Sequence, residues 1–223
     1  MVHKIAIYDM DRTITVRGTY AGFLVHMCLA IAPWRLVLLP VVGIVMLGYI
    51  AKLVPRGRAK ELNQALLMGR QVSRARIAPA VEAYADNVIA TNIRPGALAQ
   101  IEADRAAGCR LLIASASYRL YVEPIAQRLG FDAVIATDHF TQGVDYIRAK
   151  IAGENCYDTA KLRMIQAWMA REGIDRNDAS IRAYSDHVTD APMLDFSDKP
   201  HATNPHKPLI ALAQAKGWPI LHW

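Results

Sequence analysis

The chain has 223 residues, enough for one substantial core with a small appended unit and too few for two full-sized domains. Hydrophobic residues make up 53% and charged residues 21%, which excludes a disordered or fibrous chain. The net charge of +6 favours anionic partners without choosing among phosphate esters, nucleic acid and acidic lipid, and the three cysteines (Cys28, Cys109, Cys156) form no metal or disulfide pattern, so a reducing cytoplasm is expected.

Residues 3–8 (HKIAIY) are a short apolar run rich in β-branched residues that ends at Asp9, as expected of a buried parallel strand. A secretory leader is not expected, because this strand leads into acidic residues and not into a small-residue cleavage site. From Thr19 to about Ile93 the chain reads as mostly helical, far longer than one crossover needs. Residues 19–93 are therefore expected to be an inserted helical cap, with 1–18 and 94–223 forming the core. Further strands are predicted at 110–114, 132–136 and 181–184, with helices near 95–107, 118–129 and 158–172. That alternation predicts a doubly wound α/β sheet. Residues 140–152, alternating around Gly143, predict a hairpin at the sheet edge.

The chemistry-bearing residues fall where these elements end. Asp9 and Asp11 lie two apart just beyond the first strand, so an extended backbone would direct both carboxylates to one side, at the sheet edge where doubly wound folds bind ligands. One carboxylate can attack phosphorus while a second protonates the leaving oxygen. The plain alternative is a solvated turn. Ser115 closes a second apolar strand, where its hydroxyl and neighbouring backbone N–H groups, such as that of Ala116, suit phosphate oxygens. Lys161 opens a predicted helix, where an anion is favoured, although alone it reads as a surface lysine. Asp186 follows a further apolar strand, with Asp190 four residues on. Oxygen ligands from Asp9, Asp11 and Asp186 suit magnesium, which takes few carboxylates and completes its shell with water and phosphate.

In the order DMDRT, Ser115, Lys161 and SDHVTD, the sequence resembles the four-motif signature of the haloacid-dehalogenase superfamily, from Asp9 to Asp190. The tail HATNPHKPLIALAQAKGWPILHW is similar to the end of the phosphoserine-phosphatase-like subfamily with an inserted helical cap. The resemblance implies a Rossmann-like parallel sheet and an Mg2+-dependent phosphomonoesterase acting through a phosphoaspartate on a small phosphorylated metabolite. It implies Asp9 as nucleophile, Asp11 as general acid then base, and Thr13, Ser115 and Ala116 as phosphate-binding or loop-positioning groups. Lys161 would stabilise the transferring phosphoryl group. Asp186 would hold the metal with Asp9 and the backbone carbonyl of Asp11, and Asp190 would orient Lys161 or support the metal shell. Two positions depart from the subfamily: His187 stands where a small polar residue is usual, and Tyr157-Asp158 precedes Lys161 where glycine is common. Both bear on substrate more than on chemistry. His187 reads either as a substrate contact or as a packing or surface residue.

The apolar stretch 22–54, in which 36–51 carry no charge, needs its own account. As a helix, 36–51 would span roughly 24 Å against a hydrocarbon core of roughly 30 Å, and Pro40, Gly43 and Gly48 weaken a straight span. Asp9 precedes it while Ser115, Lys161 and Asp186 follow, so a single crossing would divide the site. In the preferred reading its helices pack as the cap's core or as a homodimer interface. In the other, a hairpin breaking at Pro33 meets the anionic inner face of a membrane. Lys52, Arg56, Arg58, Lys60, Arg70, Arg74 and Arg76 would then flank it. The same resemblance would make the chain a phosphatase of lipid phosphates such as phosphatidylglycerophosphate. A non-catalytic basic binding module ranks last, and no nucleic-acid partner is expected, because no nucleic-acid motif accompanies the charge.

Overall fold

The computed structural model describes residues 2–143 and 145–223. β1 (His3–Tyr8) alternates between two apolar layers, with Ala6 and Tyr8 on one side and Ile5 and Ile7 on the other. β3 (Arg110–Tyr118) repeats the pattern, sending Leu111 and Ile113 to the first layer and Leu112 and Ala114 to the second. Strands buried on both faces need apolar side chains at every position, which is why these runs read as continuous and not alternating.

β1 pairs in parallel with β3 on one side and with β6 (Ala179–Ser185) on the other. β4 (Ala133–Gln142) continues the sheet in parallel beyond β3, while β7 (Lys199–Thr203) and β8 (Ile220–Leu221) continue it in parallel beyond β6. The chain therefore builds outward in both directions from β1, and the switch of direction there opens a crevice at the strand ends. α5 (Pro95–Ala106) and α6 (Arg119–Arg128) contribute to one layer; α7 (Thr159–Arg171), α8 (Ala191–Phe196) and α9 (Lys207–Lys216) cover the other. β7 and β8 lie beyond the strands predicted, because a Pro- and His-containing run and a two-residue strand carry too little apolar periodicity.

Between β1 and β3 stand α1 (Tyr20–Ile31), a 3-10 turn over Pro33–Leu38, α2 (Leu39–Ile50), α3 (Arg56–Leu67) and α4 (Arg74–Thr91). The chain enters and leaves this segment through one neck. Val16 N–H donates to Asn92 O at 2.9 Å, Arg94 N–H to Ile14 O at 3.0 Å, and the Asn92 amide bonds both N–H and C=O of Arg17. The segment is not purely helical: β2 (Gln71–Ser73) pairs antiparallel with β5 (Tyr146–Ala152). The predicted hairpin is present as β4 and β5, but β2 covers β5, so the hairpin is not the sheet's edge; Val144, which falls in the predicted hairpin, lies outside the described residues.

The apolar stretch divides. α1 buries Phe23, Leu24, Met27 and Cys28, as expected of a cap core. α2 buries no residue, and Ile44, Leu47 and Ile50 are 67%, 66% and 70% exposed. Of the preferred reading, cap core or homodimer interface, the cap-core half fails for α2. Its neighbours, α3 and the 3-10 turn, cover one side only.

Candidate active site

The loop after β1 is tight: Met10 has helical dihedrals between the extended Asp9 and Asp11, which breaks the extended course assumed for residues 9–11, and Arg12 adopts φ +63. The two carboxylates consequently diverge. Asp9 Oδ1 accepts from Lys161 Nζ at 2.8 Å, and Thr13 Oγ1 lies 3.3 Å from Asp9 Oδ2. Asp11 turns the other way, accepting from Thr19 N–H at 2.6 Å, Thr19 Oγ1 at 2.7 Å and Ser117 Oγ at 2.6 Å. Both nevertheless line one cleft of about 480 Å³, with Ala116, Lys161, Asp186, His187 and Asp190 around it.

Lys161 is not a surface residue. It is 2% exposed, with Nζ held between Asp9 Oδ1 and Asp190 Oδ2 at 2.8 and 2.7 Å. Asp190 also accepts from Ser185 Oγ at 2.7 Å. Burial works against the ammonium, but Asp190 and Asp9 outweigh it and hold the Lys161 pKa above the ordinary lysine value. Burial likewise raises Asp9, to about 8, with Lys161 pulling against it and Asp190 and Asp186 adding to it. Asp186 is pushed up to about 6, first by burial and then by Asp190. Three buried carboxylates thus share one buried cation, a charge surplus that a divalent cation would relieve. Asp9 and Asp186, bridged by the Thr13 hydroxyl, supply hard oxygen donors of the type magnesium takes. Among the described residues no three acidic, cysteine or histidine side chains converge as a closed cage. The Asp11 carboxylate is engaged elsewhere, so its part in a metal shell would fall to its backbone oxygen.

The remaining expected residues take distinct places. Thr13 is buried as a brace, and its Oγ1 accepts from Asp186 N–H at 3.0 Å. Ser115 is buried behind the wall, accepting from Ser117 N–H at 3.1 Å, while Ala116 lines the cleft itself. His187 is half-buried, caps a 3-10 turn through Thr189 N–H, and stacks on His206 at 4.1 Å; burial, then His206, lower its pKa. Asp158, at the glycine-like position, adopts φ +56 and ψ −136, a conformation in which glycine is favoured.

Several site residues escaped the sequence reading. Lys60, counted there in a basic flank, is only 7% exposed; its Nζ donates to Ala116 O at 2.7 Å and Asn155 Oδ1 at 2.9 Å, above the Tyr118 ring. Burial, then Arg56, pull it down to about 7. With Tyr20, Met46, Tyr49 and Asn63 it lines a chamber of about 220 Å³ that shares Asp11, Arg56 and Ala116 with the catalytic cleft. Asn63 Oδ1 is buried there without a partner. The signal was present as Ala59, Lys60, Asn63, Gln64 and Leu67, one buried helical face with polar members, but a basic run reads first as a solvated one.

The fold and site define an α/β protein with a carboxylate–lysine–carboxylate centre at its topological switch point. A family model for haloacid dehalogenase-like hydrolases matches residues 6–195, and the chain belongs to that family. It is 39% identical over 128 residues to an inhibition of morphological differentiation protein of Streptomyces azureus, covering 54% of this chain and 43% of that one. It is 33% identical over 170 residues to a phosphoserine phosphatase of Mycobacterium tuberculosis, covering 75% of this chain and 52% of that one. The chain thus spans about half the length of these curated relatives. A crystal structure of a protein of unknown function from Bordetella pertussis Tohama I superposes with TM-score 0.87 at 24% identity, over 99% of each chain, a likeness of fold.

Proposed function

We propose that the chain is a magnesium-dependent phosphomonoesterase in which Asp9 is transiently phosphorylated, acting in the cytoplasm on a small phosphorylated metabolite. The observation that carries this reading is the buried Lys161 held between Asp9 and Asp190 at the strand ends. An Asp9 oxygen would attack phosphorus as the phosphorus–ester oxygen bond breaks, and Asp11 would give its proton to the departing oxygen. Water would then attack the same phosphorus while Asp11 takes its proton, and the bond to Asp9 would break to release inorganic phosphate. Lys161 offsets charge on the transferring group and holds Asp9 in line, the positioning and neutralisation on which phosphoryl transfer depends. Asp190, itself bonded by Ser185, holds Lys161, Thr13 braces Asp9 against Asp186, and Thr19 and Ser117 aim Asp11. Ala116 would offer its backbone N–H to phosphate, with Ser115 setting that turn. Magnesium held by Asp9, Asp186 and the Asp11 backbone oxygen would neutralise the phosphate dianion.

Residues 19–93 would act as the cap that closes this cleft, with the chamber around Lys60 and Asn63 receiving the leaving group. The likeness to the Mycobacterium phosphoserine phosphatase favours a phosphoserine-like substrate. A second reading, a lipid-phosphate phosphatase at a membrane surface, is favoured by one observation, the uncovered apolar face of α2. Turnover of p-nitrophenyl phosphate with and without magnesium tests the chemistry. Asp9→Asn is expected to lose at least about a thousandfold in kcat while keeping its thermal unfolding profile. Full metal-dependent activity in that variant would remove Asp9 as nucleophile.

A further inference from the structure

The segment Pro33–Ile50 has a mean hydropathy of 1.8, is long and apolar enough to cross a membrane, and has none of its length buried. It is apolar on both sides for two different reasons. Inward, Leu36 and Val42 pack on the core while Met46 and Tyr49 wall the chamber beside Asp11. Outward, Val37, Val41, Ile44, Leu47 and Ile50 recur every three to four residues as one exposed stripe, prolonged by Leu53 at 81% exposure. A helix apolar all round needs an apolar neighbour on each side, and the protein supplies one of them.

The charge around this stripe has one sign. No Asp or Glu occurs from residue 12 to residue 60. Lys52 and Arg58 stand just beyond the C-terminal end of α2, both exposed, while Arg56 faces the cleft with its guanidinium over the Tyr157 ring. At the other end Arg35, Arg70 and Arg76 line a cavity of about 730 Å³ beside Trp34, itself 66% exposed with the Arg35 guanidinium against its ring. Glu61, the first acid beyond the stretch, is already engaged by Arg58 and by Ile151 N–H, each at 3.0 Å.

We propose that this face docks on an anionic bilayer surface, with α2 in the plane of the interface, its stripe among the upper acyl chains and both basic ends on lipid phosphates. A single crossing is excluded by connectivity, because Asp9 precedes the segment, Lys161 and Asp186 follow it, and all three meet in one cleft; a two-pass hairpin is excluded by α1, whose Phe23, Met27 and Cys28 are buried in the cap. A second copy fits worse than lipid. In an isologous contact, parallel or antiparallel, each basic end of α2 meets another basic end. An amphipathic indole at one end and lysine and arginine at the other are groups suited to the headgroup layer. Docking would set the chamber's α2 wall against the lipid; that consequence rests on the catalytic reading, whereas the docking itself does not.

Co-sedimentation of the full chain with vesicles of phosphatidylcholine, with and without phosphatidylglycerol, tests this. The chain is expected to pellet with the anionic vesicles, to release at high salt, and to stay in solution with phosphatidylcholine alone. The triple variant Ile44→Gln, Leu47→Gln, Ile50→Gln should lose about tenfold or more in bound fraction while keeping its thermal midpoint and p-nitrophenyl phosphate turnover. Lys52→Glu with Arg58→Glu should lose binding to anionic vesicles likewise. Absence of pelleting with anionic vesicles, pelleting undiminished in the triple variant, or a dimer in sedimentation velocity that the triple variant dissociates would each overturn the proposal. Binding retained by Asp9→Asn supports the surface whatever the outcome for catalysis.

Discussion

The cleft at the ends of β1, β3 and β6 and the outer face of α2 are opposite solutions to the problem of covering side chains. In the cleft Asp9, Lys161, Asp186 and Asp190 are buried and partnered: Lys161 has two carboxylates and Thr13 ties Asp9 to Asp186, while the half-buried Asp11 has three donors. On α2 the apolar side chains are uncovered, and no residue of the helix is buried. Burying charge is tolerable only when polar partners compensate it, and exposing a continuous apolar stripe is unfavourable unless something else covers it. The first region is complete within the chain except for its surplus of negative charge. The second is incomplete.

The largest expected effect separates the two by stability. Replacing Lys161 by Met leaves Asp9 and Asp190 buried without their cation, and about 3–5 kcal/mol of folding free energy should be lost at neutral pH in EDTA, read from urea unfolding. A loss below about 1 kcal/mol would mean that the carboxylates are solvated and the cleft is not the closed network described.

A smaller effect per pH unit comes from the boundary between the regions, where Lys60 is buried and pulled from 10.5 to about 7. From about pH 7 to about pH 10.5 the unfolded chain holds a proton that the folded chain has released. Stability should therefore rise with pH across that window, relative to Lys60→Met, by at most about 1.4 kcal/mol per pH unit. Parallel stability profiles for the two proteins would place Lys60 in water.

The smallest effect belongs to α2. Leu47→Gln, at a position 66% exposed, should change unfolding free energy by no more than about 0.5 kcal/mol in vesicle-free buffer. A loss above about 2 kcal/mol would mean that a protein surface already covers the helix, and the contrast with the cleft would disappear.

Legibility followed the same division. DMDRT, Ser115, Lys161 and Asp186 could be picked out because each sits at the end of a short apolar run or the start of a helix, a local and covalent relation. Their mutual geometry could not, because Lys161 reaches Asp9 across 152 residues of chain. The extended course assumed for residues 9–11 failed at Met10, whose helical dihedrals separate the two carboxylates, so that Asp11 meets Thr19 and Ser117 and not Lys161. Asp104 was not singled out at all, although it is fully buried and accepts from Tyr8 at 2.6 Å, Tyr184 at 2.9 Å and Arg182, because an aspartate on an amphipathic helix ordinarily reads as solvated.

By itself the sequence determined the parallel α/β class, the loop that carries Asp9 and the order of the four motifs, since these depend on local periodicity and on what lies next along the chain. Only the tertiary structure decided which charges are buried and which apolar faces are covered. It placed Lys60 inside and Leu47 outside, although composition alone favours the reverse. Burial is a property of whichever distant element packs above a residue; for α2 the chain provides an element on one side and none on the other.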